Sequence, residues 1–351
     1  MRNIRNSSLI VYSIMFLFLL IGCNSANQTE TKEVDSSKTQ DHVSGDAFET
    51  KVLRYSGTAG QVSFWELAED LGYLEPLKLE WTGNSTSGPE NIQATVTGNI
   101  DFGGAFNGAI VKLVEAGAPI TALIGYYGSD DQTWNGYYVL DDSPIKGAKD
   151  LIGKQIGVNT LGAHHEFAIV EYLRREGLTK EEVNEVSLVV IPPANGEQSL
   201  RSGQLDATTL GGVIKEKALE RGGIHPLFKD TDLFGSFTAG SLVFRDDFIK
   251  NNPNTVAKFV EGMAKAIEWA RETPVEDVRE RMKSIIEKRS RNEDTELVQY
   301  WKSVGIEGQG GLILESEFQV WIEWLEEDGF LDPGKLSVED IYTNEFNPYN
   351  N

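Results

Sequence analysis

KQIGVNTLGAHHEFAIVEYLRRE, residues Lys154 to Glu176, is the stretch that decides the fold. Residues 155–159 have the length and apolar character of a buried strand, and residues 160–163 form a loop of small side chains. From His164 onward the pattern is that of an amphipathic helix. Phe167, Val170 and Leu173 recur at helical spacing, while Glu166, Glu171 and Arg174 fall elsewhere. A strand that ends in such a loop and opens a helix aims unbonded backbone N–H groups at one point, which suits a small anion or the polar edge of a ligand. An ordinary α/β connection has the same pattern, so the stretch gains meaning only from a partner.

That partner lies upstream. Residues 51–72, KVLRYSGTAGQVSFWELAEDLG, repeat the order of strand, small polar loop and helix. The echo extends downstream in both copies. Gly98-Asn99-Ile100-Asp101 precedes the small residues Gly103, Gly104 and Ala105, and Gly203-Gln204-Leu205-Asp206 precedes residues 207–212. Lys51 to Asp101 is 50 positions and Lys154 to Asp206 is 52. Two units of one α/β design in series predict two similar lobes.

Around this pair the rest of the chain falls into place. Residues 1–22 read as a targeting signal, with Arg2 and Arg5 before an apolar run too short to span a bilayer comfortably. The run ends in Leu20-Ile21-Gly22-Cys23, which looks like a bacterial lipobox, and Cys23 is the sole cysteine. Lipidation at Cys23 and the impossibility of an intrachain disulfide both fit an exported protein. Residues 23–48 read as a polar tether. His42, inside the tether, is given no role. The formal charge of -22 becomes -24 once the two signal arginines are removed, a balance that argues against nucleic acid as a partner.

The expected domain plan is residues 49–138 and 242–351 as lobe I with C-terminal helices, and residues 139–241 as lobe II. Residues 137–140 and 238–245 are expected to be the two crossings. Leu77, Leu79 and Trp81 alternate as in a half-buried strand, and residues 83–89 form a polar turn rich in hydroxyls. Ser87 to Pro89 can equally start a helix over residues 90–97. Residues 101–108, DFGGAFNG, are expected to be a loop. Near the end of the chain, Val256, Phe259, Val260, Met263, Ile267 and Ala270 form one apolar helical stripe. Val278, Met282, Ile285 and Ile286 form a second, and Phe318, Trp321, Ile322 and Leu325 a third; all three read as packing surfaces.

The lipobox, the Gly88-Pro89-Glu90 run, GNIDFGGAFNG, SPIKGAKDLIGKQIGV and GQLDA together resemble the extracytoplasmic solute-binding lipoproteins of ABC importers, in the nitrate/sulfonate/taurine and thiamine-precursor group. The resemblance covers about residues 50–330. It implies a periplasmic-binding-protein-like α/β fold, two lobes joined by two crossings with a ligand cleft between them. It also implies a monomer without cofactor or metal, lipid-anchored on the outer side of the cell membrane, whose closure on a small solute is read by a permease. Carried over to matching positions, the ligand contacts are Thr58, Gln61, Ser85, Ser87, Gly104, Ala105, Asn107 and Tyr126 in the first lobe. In the second they are Thr160, Ala163, His164 and Gly211.

These loops contain no Lys or Arg. A nitrate or sulfonate would therefore rest on helix N-terminal N–H groups, hydroxyls and a protonated His164. Phe64, Trp65, Phe102, Phe106, Tyr126 and Trp134 stand near the same loops and offer either a flat binding surface or core. An organosulfonate such as a taurine-like compound suits both features, with a neutral pyrimidine-type thiamine precursor as the rival. Catalytic readings find little purchase. His164 and His165 are adjacent rather than at the i, i+4 spacing of a helical zinc pair, and no G-x-S-x-G elbow, phosphate loop or dinucleotide fingerprint occurs. Some enzymes of the thiamine pathway share this fold, so fold alone does not decide against catalysis.

Overall fold

The computed structural model describes residues 48–350. The signal, Cys23 and nearly all of the tether with His42 lie outside the described residues. The first lobe opens with β1 (Val52–Gly57), α1 (Phe64–Asp70), β2 (Lys78–Asn84), α2 (Gly88–Val96), β3 (Phe102–Phe106), α3 (Asn107–Glu115) and β4 (Ile120–Ser129). The second holds β5 (Asn135–Leu140), β6 (Gln155–Val158), α4 (His164–Arg175), α5 (Lys180–Asn184), β7 (Ser187–Val190), α6 (Gly196–Arg201), β8 (Ala207–Gly211), α7 (Gly212–Glu220), β9 (Ile224–Lys229) and α8 (Asp230–Phe234). The chain then returns through β10 (Phe237–Arg245), α9 (Asp246–Asn251), α10 (Pro253–Glu272), α11 (Val275–Lys288) and α12 (Ser316–Glu327). Among the described residues, no helix is long and apolar enough to cross a membrane.

Two sheets serve the first lobe, β1-β2 and β3-β10-β4, and one five-stranded sheet of order β7-β6-β8-β5-β9 serves the second. The sheet pairing moves both crossings. Residues 137–140 lie within β5, paired to β8 and β9, and residues 238–245 lie within β10, paired to β3 and β4. The chain therefore passes between lobes at residues 130–134 and 235–236, where no ladder holds the backbone.

The internal echo has one physical cause in both lobes. Asp101 donates its N–H to Arg54 O at 2.9 Å and accepts Arg54 N–H on Oδ2 at 2.7 Å. Asp206 does the same with Gln155, at 3.0 Å and 2.9 Å. Each aspartate pins the start of one strand to the entry of the next, so the loops at the far ends of those strands emerge side by side.

The three C-terminal stripes pack as their periodicity requires. Every residue of the α10 and α12 stripes is at most 3 % exposed, and the α11 stripe is buried as well. Burial of this kind contributes about 25 cal/mol per Å² of apolar surface and dominates what holds the lobes together. α10 packs on the core around Leu53, Leu67 and Phe102, and α12 on the core around Phe106 and Ile110.

Residues 101–108 differ from the sequence expectation. They are strand β3 and the start of α3, not a loop. Their glycines serve close packing: a Cβ at Gly103 would stand 2.5 Å from Thr95 Oγ1, and one at Gly104 would stand 2.6 Å from the Tyr126 ring. A small-residue run that looks like a flexible loop is here a strand that other elements approach too closely for side chains.

Candidate ligand-binding site

A cavity of about 720 Å³ lies between the lobes. The loops after β1, β2 and β4 close it from one side, and those after β6, β7 and β8 from the other. It takes this form because strand-end loops in each lobe converge, as the pinned strands dictate.

Nine of the expected contacts line this cavity: Thr58, Gln61, Ser85, Ser87, Tyr126, Thr160, Ala163, His164 and Gly211. Gly104, Ala105 and Asn107 do not. Gly104 and Ala105 are buried strand residues, and Gly104 supports the Tyr126 ring from behind. Asn107 is fully buried inside the first lobe. Its amide donates to Thr238 O at 3.2 Å and Glu317 O at 3.3 Å, and its Oδ1 accepts from Ser241 at 2.9 Å. Its polarity is consumed in joining α3 to β10 and α12.

The lobes meet the cavity in different ways. In the first, two helix starts are capped by side chains, Ser63 closing a capping box with Glu66 on α1 and Ser87 accepting from Glu90 N–H on α2, while α3 starts at Phe106 without one. Ser85 donates to Glu90 Oε2 at 2.9 Å. In the second, α4 and α7 start at Ala163 and Gly211 with no side-chain cap, and both starts line the cavity. Their first N–H groups and the positive helix ends are left for a ligand. A Cβ at position 211 would lie 1.9 Å from Asn135 Oδ1 and would force that side chain to move.

Among the aromatic residues, Phe64, Trp65, Phe106, Tyr126 and Trp134 line the cavity, whereas Phe102 is core. Trp65 Nε1, Asn91 Oδ1 and Thr208 Oγ1 are buried on lining residues and have no hydrogen-bond partner among the described residues. Buried polar atoms of this kind ordinarily find partners.

The histidines divide in function. His164 Nε2 stands 3.2 Å from Asp230 Oδ2, and its ring stacks on Phe106 with centroids 5.1 Å apart. Burial alone would raise the Asp230 carboxyl; His164, Ser129 and Asn135 together hold it below the ordinary aspartate value. His164 is thus tied to Asp230 within the protein. His165 faces Thr209 Oγ1 at 3.1 Å, and burial, with His164 beside it, lowers its pKa to about 3. It lines the cavity as a neutral imidazole.

Sequence reasoning missed the cations. Lys302 lines the cavity from a segment beyond the expected loops, 2.7 Å from Glu216, and the buried Lys215 lies 2.8 Å from the same carboxylate. Lys215 Nζ sits 3.7 Å and Lys229 Nζ 4.5 Å from the centre of the Trp134 ring. Burial lowers the Lys215 pKa against the pull of Glu216. No local pattern marks Lys302, since it reaches the cavity only through the course of the C-terminal chain.

A family model described as NMT1/THI5 like matches residues 63–277 of this chain, more than half of its length. The chain belongs to the NMT1/THI5-like family. A binding protein of Brucella abortus is 27% identical over 198 residues, 55% of this chain. The match spans only 58% of that relative. An aliphatic sulfonates-binding protein of Bacillus subtilis is 23% identical over 271 residues, 75% of this chain and 74% of its own. Solved structures of 14–21% identity share the fold. The alkanesulfonate-binding protein of Xanthomonas axonopodis pv. citri, bound to MOPS, gives a TM-score of 0.65 at 19% identity, covering 85% of this chain and 99% of that one. The nitrate-binding protein of Synechocystis gives 0.67 at 15%, covering 86% and 88%. A desulfurization enzyme gives 0.59 at 17%, covering 85% and 97%. The fold of this NMT1/THI5-like chain is that of the periplasmic binding proteins. Its cavity occupies the gap between the lobes.

Proposed function

We propose that this protein is the extracytoplasmic solute-binding component of an ABC importer, lipid-anchored through Cys23, which closes its lobes on a small organic anion such as an aliphatic sulfonate or taurine-like compound. The observation that carries the reading is the cavity of about 720 Å³ walled by loops of both lobes. A solute touching both walls favours the closed state by its differential contacts, and closure is what a permease can read. Two uncapped helix starts, and two lysines sharing the single carboxylate of Glu216, support an anionic end. Trp65, Tyr126 and Trp134 support an apolar or flat body. The Bacillus and Xanthomonas relatives, both described as sulfonate binders, point the same way. Nitrate and a pyrimidine-type thiamine precursor are the competing solutes.

Titration calorimetry against alkanesulfonates, taurine, nitrate and aminopyrimidines tests this. The expected result is saturable binding of a sulfonate with a negative heat-capacity change and a smaller radius of gyration. Silence across the panel overturns the binding reading, and turnover of a panel member replaces it with an enzyme.

A further inference from the structure

The two covalent crossings are not the only bridges between the lobes. Residues 289–304 pack on the first lobe and also touch the second, and they lie beyond the stretch that matches the family model. Their start is fastened by buried charge. Arg289 and Arg291 stand 2.7 and 3.0 Å from Glu66 Oε1, and Arg289 also donates to Gln61 O at 2.6 Å. Glu293 accepts from Gly60 N–H at 3.0 Å. The Arg289 and Glu66 side chains are 10% and 6% exposed.

The far half keeps a hold on the first lobe, with Val298 and Trp301 against its core and Trp301 O accepting from Arg279 at 2.8 Å, while its polar side chains reach a single helix of the second lobe. Glu296 accepts from Lys217 at 2.7 Å, Lys302 lies 2.7 Å from Glu216, and the Tyr300 hydroxyl donates to Glu220. All three partners are on α7. Val304 is buried in the first-lobe core, and beyond it Glu307 N–H donates to Thr238 Oγ1 at 3.0 Å. Between the two anchorages Tyr300, Trp301 and Lys302 form part of the cavity wall.

We propose that residues 289–304 are a latch: a third wall of the cavity, fixed to the first lobe and released from α7 when the lobes part. The asymmetry of the anchorage assigns the contact that breaks. Glu296 and Lys302 are 45% and 42% exposed. Ion pairs of that exposure are weak and screened by salt, which suits a contact that is made and broken in every cycle. The Glu66 cluster is buried, and breaking it would strand charge.

Hydrogen exchange on the solute-free protein, with small-angle scattering alongside, tests the latch in the chain itself, in Lys217→Glu, in Glu296→Lys and in the exchanged pair. Each single reversal should speed exchange of residues 296–304 about two- to fivefold and enlarge the radius of gyration. Exchange of residues 289–293 should stay unchanged, and the exchanged pair should restore both readouts. One molar salt should loosen the same residues in the unsubstituted chain, a readout that needs no variant to fold. Indifference of residues 296–304 to salt and to both reversals, equal loosening of both halves, or an exchanged pair that fails to restore them overturns the latch. No solute enters the experiment, so its outcome is separate from that of the binding panel.

Discussion

Asp230 Oδ2 lies 3.2 Å from His164 Nε2, and the same carboxylate accepts from Ser129 Oγ at 2.6 Å and Asn135 Nδ2 at 3.1 Å. Ser129 ends β4 and Asn135 begins β5, so one buried side chain brackets the first crossing and steadies a cavity histidine at once.

Replacing this carboxylate should therefore act on both lobes. Asp230→Ala is expected to cost roughly 3–5 kcal/mol, since it takes the acceptor from the His164 side chain and from three donors of Ser129 and Asn135. Urea unfolding of the solute-free protein measures it. A loss under 1 kcal/mol would show that the network does not hold the crossing.

Asn107, carried over by resemblance as a ligand contact, does not line the cavity. Asn107→Leu should act on stability, because the side chain joins α3 to β10 and α12 away from the cavity. Loss of its bonds leaves Ser241 and two carbonyls unpaired, at about 1–3 kcal/mol for each buried orphan. Thermal unfolding should reveal the drop, while calorimetry on the folded fraction should find solute affinity within twofold of the parent.

Thr160→Ala should have the opposite profile. The hydroxyl makes only a long contact of 3.4 Å to Leu161 O and lines the cavity. Removing it should weaken solute binding by about 1 kcal/mol, close to fivefold, with the melting temperature unchanged. Equal affinity in parent and variant would take Thr160 out of the site.

Gly104→Ala acts on the cavity through Tyr126. A Cβ placed 2.6 Å from that ring must displace it from its place in the cavity wall. The expected consequence is a loss of affinity of tenfold or so, the equivalent of about 1.4 kcal/mol, with Tyr126→Phe/Gly104→Ala no better. Titration of the best solute from the panel checks it.

Glu317 supplies a pH signature. Burial, partly offset by N–H donors from Thr238 and Leu314, raises its pKa to about 7 from 4.5. Between those values the folded chain holds a proton that the unfolded chain has released. Its contribution to stability is therefore fully present below pH 4.5, falls as pH rises toward 7 and stays lost above it. The full swing is on the order of 3 kcal/mol. Urea midpoints at pH 5 and pH 7.5 should separate less in Glu317→Gln than in the parent; equal separation would refute the assignment.

Much of this was legible in the chain. The strand, loop and helix order of residues 51–72 and 154–176, with Asp101 and Asp206 at matched distances, specified two like units. Helical stripes such as Val256 to Ala270 specified their packing faces, because periodicity is a local property that burial must respect. The loops that meet at the cavity followed from the same pattern, and nine of twelve contact positions lie on its wall.

Three things the sequence could not decide, for one physical reason. Whether DFGGAFNG is loop or strand depends on β10, which pairs with it from more than a hundred residues away. Whether His164 Nε2 faces a solute alone or beside a carboxylate depends on Asp230, brought to it by the return of the chain. Lys302 enters the cavity wall only because residues 289–304 reach α7. Local propensity fixes elements and their faces; partners supplied from distant segments fix which polar groups are already satisfied, and so which remain for a ligand.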